Sequence, residues 1–552
     1  MKEATLEKEA QLPSSGSSSN VSLAKTFPGQ VEVKELDNDS INSHVFQDPV
    51  VAEFYRDLYE KVNYECKDHF NPDLTWTKEE EKKILRKNDW YVCFWAFVMF
   101  TALDIDRYNF NQALSDNLLE DIGITTNDMN LGNTINLVCF LSAELPSQLL
   151  SKWIGPDIWI PSQMVLWSVV SMSQAAMKSR SGYLATRALI GALQGGFIPD
   201  VCLWMSYFYT SSEFPSRMSW FYIANPLSQV WSSLLAFAVL KIHTESLKEG
   251  WRWLFLIEGL VTLLVGLFSF FKMPASVVQT KAWYRKKGWF TDREERILVN
   301  KVLRDDPQKG DMHNREPVGP RELLKTLLDY DLWPVYFIRI LGDIGSAPVQ
   351  TYLTLTLRKL GFSTFKTNAL TIPYSLISII TMMVTGYLSE IYNQRALALA
   401  IIPVWIIACL APLRWWSGSQ KDIWGTYALL TVLLGHCPTW PISITWCSHN
   451  SNSVRNRAVS AALVNMFSQS GAIIAANIYR ADDAPLYKRG NTQLIGIAFG
   501  TLGMCLFAKV YYILRNKQRD KKWNAMSVEE QEDYIKNSKD EANKRLNFRF
   551  VH

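Results

Sequence analysis

The sequence predicts an all-α membrane protein of about twelve transmembrane helices in two six-helix bundles, and three observations carry that reading. Charge is segregated: the chain is polar before Asp89 and after Leu514, and between them lie long apolar runs with few charges, separated by short turns. The runs are roughly 20 residues long, the length a helix needs to cross about 30 Å of hydrocarbon. One charged block, Lys281 to Lys325, divides the runs into two sets of six. Whole-chain averages conceal this, because 48% hydrophobic and 20% charged residues would also suit two soluble domains.

Residues 1–88 form a polar tail, expected to be cytosolic and largely disordered. Its leading MKEATLEKEAQLPSSGSSSN has no apolar core, so no cleaved signal peptide is expected and the first span directs insertion. Asn20 and Asn38 sit in glycosylation triplets there, but a cytosolic tail never meets that machinery. The first bundle, 89–272, holds spans at roughly 89–113, 130–151, 157–177, 181–209, 218–241 and 251–272. A cytosolic central loop, 273–330, follows. The second bundle, 331–514, holds spans at roughly 331–356, 366–390, 395–414, 423–447, 456–479 and 491–514. The cytosolic tail 515–552 contains SVEEQEDYIKNSKDEANKRL, which reads as a solvated helix. Two six-helix halves around a long central loop is the layout of the major facilitator fold, with substrate bound between the halves near the midplane.

Basic flanks set the orientation. TKEEEKKILRK before span 1, YRKK and DREER in the central loop, Arg455 and Arg457 before span 11, and RNKQRDKK after span 12 fall on one side, which should be cytoplasmic. Lys178, Arg180, Arg358 and Lys359 lie on the other side, balanced by the acids of SDNLLEDIGITTNDMN. The net charge of +4 forms no basic face, so nucleic acid is not an expected partner. Among the eight cysteines there is no CxxC pair; they are expected to be small buried side chains, with no disulfide, metal or cofactor.

The informative residues are the charges inside the spans. In span 1, Asp104, Arg107 and Asn111 stand at i, i+3 and i+7 on one face, while Asp106 points elsewhere. In span 4, Arg187, Gly191, Gln194 and Ile198 share a face, and Gly195 and Gly196 permit close helix approach. Counting rise per residue puts Arg107 and Arg187 at one depth, about 9 Å below the outer surface. A guanidinium in a bilayer costs a few kcal/mol and so faces partners or water. Two at one depth point to an anion, a carboxylate or sulfonate gripped by the planar fork. The alternative is that Asp104 neutralises Arg107 and Arg187 snorkels.

Other polar positions admit two readings each. Glu144 in AELPSQLLSKWIG is a gate contact or a solvated helix end, and Arg339 and Asp343 in span 7 are functional or satisfy each other. His436 in LLGHCPTWP is a proton site or a packing residue. Glu258 in WRWLFLIEG and Asp200 are proton-site candidates on the same terms. Asn111, Gln194, Gln350, Asn465 and Gln469 are expected to shape the substrate pocket.

LDIDRYNFNQA in span 1, ELPSQLLSKWIGPDIWIPS after span 2, TRALIGALQGGFIPD in span 4, GWRWLFLIEG opening span 6, FTDREERILVNKVLRDD in the central loop and IYRADDAPLYKRG between spans 11 and 12 together resemble the fungal allantoate permease family. That family lies in the anion:cation symporter branch of the major facilitator superfamily, and the likeness runs from about Asp89 to Leu514. It implies proton-coupled uptake of a small organic anion across the plasma membrane: a carboxylate such as allantoate, nicotinate, pantothenate or biotin, or a sulfonate. Related animal transporters of the sialic acid and vesicular glutamate type carry arginines in spans 1 and 4, which correspond to Arg107 and Arg187. The superfamily's loop signature between spans 8 and 9 is similar to Gly386, Glu390 and Arg395 in GYLSEIYNQR, and its copy after span 2 is degenerate, with Pro146 and Lys152. Span 5 has Asn225-Pro226 where drug antiporters have Gly-Pro, which disfavours export.

The expected mechanism follows. Asp104 and Arg107 form a charge-balanced pair at the outer mouth of a central cavity, and an anion on Arg107 and Arg187 favours protonation of Asp104. Asp104, Glu144, Glu258, Asp343 and His436 are the candidate proton carriers, and Gly386, Glu390 and Arg395 the candidate gate. The expected unit is a monomer in the plasma membrane, or alternatively an endomembrane. A metabolite or drug exporter and a non-transporting nutrient receptor are the alternatives. No nucleophile-and-base pair stands out, so an enzyme is not expected.

Overall fold

The computed structural model describes residues 44–47, 49–61, 64–210, 212–240, 249–310, 326–392, 394–451, 454–527 and 542–552, with 242, 324, 529–531 and 534. The Ser-rich leading segment with Asn20 and Asn38 lies outside them, as do the side chains of Lys152, Glu390, Arg455 and Arg457 and half of SVEEQEDYIKNSKDEANKRL. Among the described residues the chain is helical, with one isolated β-bridge between Ala282 and Arg285.

Span 1 is the helix Phe94–Ala113, entered through a π-helical turn, Asp89–Cys93. Span 2 runs Thr126–Ile154 from a Thr125–Asp128 capping box, which satisfies orphan backbone donors at its start. Gly155, at φ 102°, turns the chain, and Pro156 opens span 3, Pro156–Ser173. Span 5 is Phe214–Val239 and span 6 Gly250–Lys272. In the second half, span 8 is Ile372–Ile391 after a short helix Thr364–Ala369, span 9 Arg395–Trp415, and span 11 Val454–Ala475.

Besides the turn at Leu370-Thr371 near the start of span 8, spans 4, 7 and 10, expected to be continuous, are broken. Span 4 divides into Arg180–Gln194 and Phe197–Ser206 at Gly195-Gly196, where Gly196 takes φ 84°. A Cβ on Gly196 would lie 2.3 Å from that of Ser147, and one on Gly191 would lie 2.2 Å from the Asn136 carbonyl oxygen. These glycines therefore let span 4 lie backbone against span 2. Span 7 divides at Asp343–Ser346 into Trp333–Gly342, Ala347–Thr351 and Leu353–Lys359. Span 10 divides at the Gly435-His436-Cys437-Pro438 stretch into Ile423–Leu434 and Trp440–Ser451. Among the described residues, five helices are long and apolar enough to cross a membrane, including Gly250–Lys272 and Arg395–Trp415. Breaks or internal charges, such as Asp104, Asp106 and Arg107, keep others short of that measure.

The two halves repeat one packing scheme. Span 1 lies on 5, 2 on 4 and 3 on 6 in the first; 7 lies on 11, 8 on 10 and 9 on 12 in the second. The halves meet where span 5 faces span 8 and span 2 faces span 11. Outward faces are apolar: Leu260, Leu264, Leu267, Phe268 and Phe271 form an exposed stripe on span 6, and Ile380, Met383, Val384 and Tyr387 one on span 8. Stripes of this size would aggregate in water and suit lipid contact.

The tails differ from expectation. Composition predicts a largely disordered tail over residues 1–88; of its described part, Pro49–Lys61 and Lys78–Asn88 are helices. The tail packs on the central loop: Tyr59 donates to the Pro307 carbonyl at 2.6 Å, and, on the helix Asp292–Asp305, Asn300 accepts from the Asn71 N–H at 2.8 Å and Glu294 pairs with Lys87 at 2.8 Å. The Arg293 guanidinium beside Glu80, together with its Thr77 cap, holds that carboxyl down to about 2. Burial pushes the Glu294 carboxyl up, but its bonds to Lys87 and Thr291 outweigh this and hold it below its ordinary value. Span 12 continues as one helix, Lys488–Asn524, past its expected end. Residues 542–552 then fold back, with Phe550 buried, Asn516 bonded to its backbone and Trp446 donating to the Val551 carbonyl at 2.7 Å.

Candidate functional site

Asp104 is fully buried in span 1, and its position one helical turn before Arg107 brings the two charges to 3.5 Å. That is longer than a charge-assisted hydrogen bond, and the Arg107 side chain remains 29% exposed. Asn225, at the Asn225-Pro226 step of span 5, donates to the other Asp104 oxygen at 2.7 Å. The guanidinium lies over the Phe140 ring of span 2, 5.3 Å from its centroid.

Arg187 stands over Phe110 at 5.1 Å and donates through Nη2 to Asn133 of span 2 at 2.7 Å. Its Nε has no partner. Phe110 is one helical turn beyond Arg107, and Asn133 lies two turns from Phe140, so the guanidinium groups stand about 5 to 10 Å apart along the bundle axis and not at the one depth that rise per residue predicts, because each side chain leans on a ring of a neighbouring helix. Gln194, two turns from Arg187, is buried with Nε2 unpartnered. The half-buried Asn111 accepts from Thr354 at its backbone carbonyl.

Several carboxylates are buried, and among the described residues no basic side chain hydrogen-bonds to them. Glu144 of span 2 accepts from Asn465 of span 11 at 3.2 Å, a bond across the two halves, and its second oxygen is unpartnered. This joins a predicted proton carrier to a predicted pocket residue. Asp200 accepts from Ser147 at 2.9 Å and lies beside Glu144. Asp106, pointing away from Arg107 as the helical period requires, accepts from Trp167 at 3.1 Å and Ser171 at 3.0 Å in span 3. Glu258 lies next to it, bonded to Ser232, with Oε2 unpartnered. Glu258 is thus inside the first bundle and not on the line between the halves. Sequence reasoning passed over Asp106, because its neighbours come from other helices and leave no local signal.

In the second half Arg339 and Asp343 pair at 2.7 Å, and Thr439 and Ser468 bond to both, which is the mutual satisfaction their spacing allowed. His436 Nδ1 lies 2.8 Å from the Cys437 carbonyl oxygen. Gln350 lies beside Tyr374, and Gln469 is half-buried. At the expected gate, a Cβ on Gly386 would meet nothing, Arg395 donates to Ser389 at 3.0 Å, and the Glu390 side chain is outside the described residues. The described cysteines form no disulfide, and most are buried. Among the described residues, the one group of three with metal-ligating spacing, His69, Asp292 and Glu295, belongs to the tail-end layer.

Polar bonds between the halves concentrate at the end away from the tails. Tyr352 donates to Asn130 at 2.8 Å, Asn130 to the Tyr479 carbonyl at 2.6 Å, Asn368 to Ser115 at 2.9 Å and Asn477 to Thr134 at 2.9 Å. Ser233 and Thr371 at 2.7 Å, and Ser375 with Gln229 at 3.1 Å, continue the row inward. That end is sealed.

The sequence pattern of the Major Facilitator Superfamily matches residues 96–476. The chain is 45% identical over 94% of its length to the uncharacterized transporter YIL166C of Saccharomyces cerevisiae, covering 95% of that protein. It is 27% identical to the MFS-type transporter efuF of Hormonema carpetanum, over 71% of this chain and 77% of that one. Its fold is similar to a bacterial homologue of the human lysosomal transporter Spinster, solved inward-facing and unoccupied, with a TM-score of 0.55 at 15% identity over 77% of this chain and 96% of the other.

Proposed function

We propose that this chain, which belongs to the Major Facilitator Superfamily and is a membrane transporter of that type, takes up a small organic anion together with protons by alternating access. The observation that carries the reading is the pair Arg107 and Arg187. Each guanidinium rests on an aromatic face, and neither is closed into an ion pair of hydrogen-bond length. A carboxylate or sulfonate bridging them would draw Arg107 from Asp104, and Asp104, buried with one oxygen unpartnered, would then be stabilised by taking a proton. Glu144 and the Asp106–Glu258 pair, with no basic bond partner in the structure, are the further proton carriers. The tight Arg339–Asp343 network and the locally bonded His436 serve the second half as structure.

The tail-end layer is cytosolic in this reading, the sealed end faces outward, and the unit is a monomer in the plasma membrane. The test is uptake of labelled allantoate, nicotinate, pantothenate, biotin and taurine by cells lacking their own carriers, at acidic and neutral outside pH, with and without an uncoupler. Uncoupler-sensitive accumulation of one compound, stronger in acid, is expected. Accumulation that ignores both pH and uncoupler would overturn proton coupling, and failure of every compound despite surface expression would overturn the anion class.

A further inference from the structure

We propose that His69, Asp292 and Glu295 bind a divalent transition-metal cation that fastens the segment preceding span 1 to the loop between the halves. His69 lies 223 and 226 residues from the two acids in sequence, and the fold delivers it to them. Asp292 and Glu295 stand at i and i+3 on one face of Asp292–Asp305. Asn300 of the same helix donates to the His69 carbonyl at 2.8 Å and accepts from the Asn71 N–H, which fixes the imidazole over that face.

The distances suit a shared ion better than direct bonding. His69 Nε2 is 3.6 Å from Asp292 Oδ1 and 3.7 Å from Glu295 Oε2, too far for a hydrogen bond to either. All three donor atoms lie within 4.8 Å of one another. Ligands held about 2.1 Å from one metal stand roughly 3.0 to 3.5 Å apart, so the two His69 distances need a contraction of a few tenths of an ångström, and the two acids, which lie within 4.8 Å of each other, at most about 1.5 Å. A second observation points the same way: the Glu295 side chain is 2% exposed, and its Oε1 has no hydrogen-bond partner. A buried carboxylate is stabilised by a cation facing it, and the half-exposed Lys281 comes no nearer than 4.0 Å.

Two other cations border the site. Lys281 Nζ is 4.0 Å from Glu295 Oε2, and Arg296 holds the opposite oxygen of Asp292 at 3.2 Å. Both are about half exposed, so Lys281 can turn to water as the ion enters. One imidazole nitrogen and two carboxylate oxygens, with open positions for water, suit Mn2+ or Zn2+, whereas Mg2+ favours all-oxygen sites.

The test uses the full chain in detergent, stripped with EDTA and titrated with Mn2+, with free ion followed by its paramagnetic resonance. Saturable binding of one Mn2+ is expected, displaced by Zn2+ and not by equal Mg2+. His69→Ala and Glu295→Gln should each weaken it about tenfold or more, and Glu79→Gln, an exposed acid nearby, should not. Glu295→Gln keeps the side chain's shape, so it reads the site if His69→Ala unfolds the layer. Binding that is unsaturable, unchanged in Glu295→Gln, or displaced equally by Mg2+ would overturn the site.

Discussion

Replacing Arg187 by Gln removes the charge and the fork while keeping a polar side chain of similar reach. In the structure Nη2 is occupied by Asn133, which leaves Nε and Nη1 for an anion. Two charge-assisted hydrogen bonds at about 1.5 kcal/mol each come to about 3 kcal/mol, or roughly 150-fold in affinity. The expected result is a KM for the transported anion raised about 100-fold at unchanged surface abundance. Arg187→Lys keeps the charge and one bond, so about a tenfold rise is expected, because an ammonium cannot grip two oxygens in one plane. Initial-rate uptake against substrate concentration, with surface protein measured by biotinylation, reads both. A KM for Arg187→Gln within threefold of wild type would refute the reasoning, and so would a fall in Vmax alone. If Arg187→Gln does not reach the surface, Asn133→Ala serves instead: it frees Nη2 and should raise KM several-fold with Vmax kept.

Asp106→Asn with Glu258→Gln should abolish uphill accumulation while leaving exchange of labelled for unlabelled anion; loss of both activities together would assign the pair to packing. Asn130→Ala removes two of the bonds that seal the far end, and should raise labelling of a Ser115→Cys reporter by a membrane-impermeant thiol reagent; unchanged labelling would deny the seal a role. Gly471→Ala sets a Cβ 2.3 Å from the Ile340 carbonyl oxygen, as Gly191→Ala does against Asn136, so both should lower the unfolding midpoint of the purified protein, and a neutral result would show that the helices can part without cost. Glu80 and Glu294 are held below their ordinary value of 4.5, so their ion pairs contribute stability that is full above that pH and lost as pH falls below it, for Glu80 toward about 2. Fluorescence of Trp289, which stacks on Tyr91, should report the loosening, and an acid transition unaltered in Glu80→Gln would count against it.

How far the sequence reaches depends on the range of the interaction. Period 3.6 separates Asp104 and Arg107 from Asp106, and the structure keeps them on different faces, since this is a property of one helix. What Asp106 meets, Trp167 and Ser171, is set by how span 3 lies on span 1, and no local pattern encodes that. Gly195-Gly196 announces a close approach, but the same flexibility also lets the helix break, and the choice rests on Ser147 of span 2. The tail before Asp89 reads as disordered because its own apolar content is low. Its aromatic residues, Phe46, Tyr59 and Phe70, are nonetheless buried together, and Tyr59 and Asn71 bond to a loop more than 200 residues away.

The contacts within and between the halves differ in kind, and the difference bears on movement. Inside each half, helices meet backbone to backbone at Gly191, Gly195 and Gly471, where sliding would drive a chain atom into a carbonyl. Between the halves, the far-end row consists of neutral hydrogen bonds, each worth about 0.5 to 1.5 kcal/mol net and each replaceable by water. The halves are therefore the rigid bodies and the row is the part that yields. Reversing a 1:99 preference between two states takes about 5.5 kcal/mol of differential binding. Four or five such bonds lie in that range, and on the proposed reading an anion gripped by Arg187 would supply about half of it. Proton binding at a carboxylate that bridges the halves would add to it, and the Glu144–Asn465 bond puts Glu144 at that junction. Glu144→Gln should then leave anion binding intact and slow the return of the empty carrier, so that exchange outruns net uptake; equal loss of both would place Glu144 in the anion site instead.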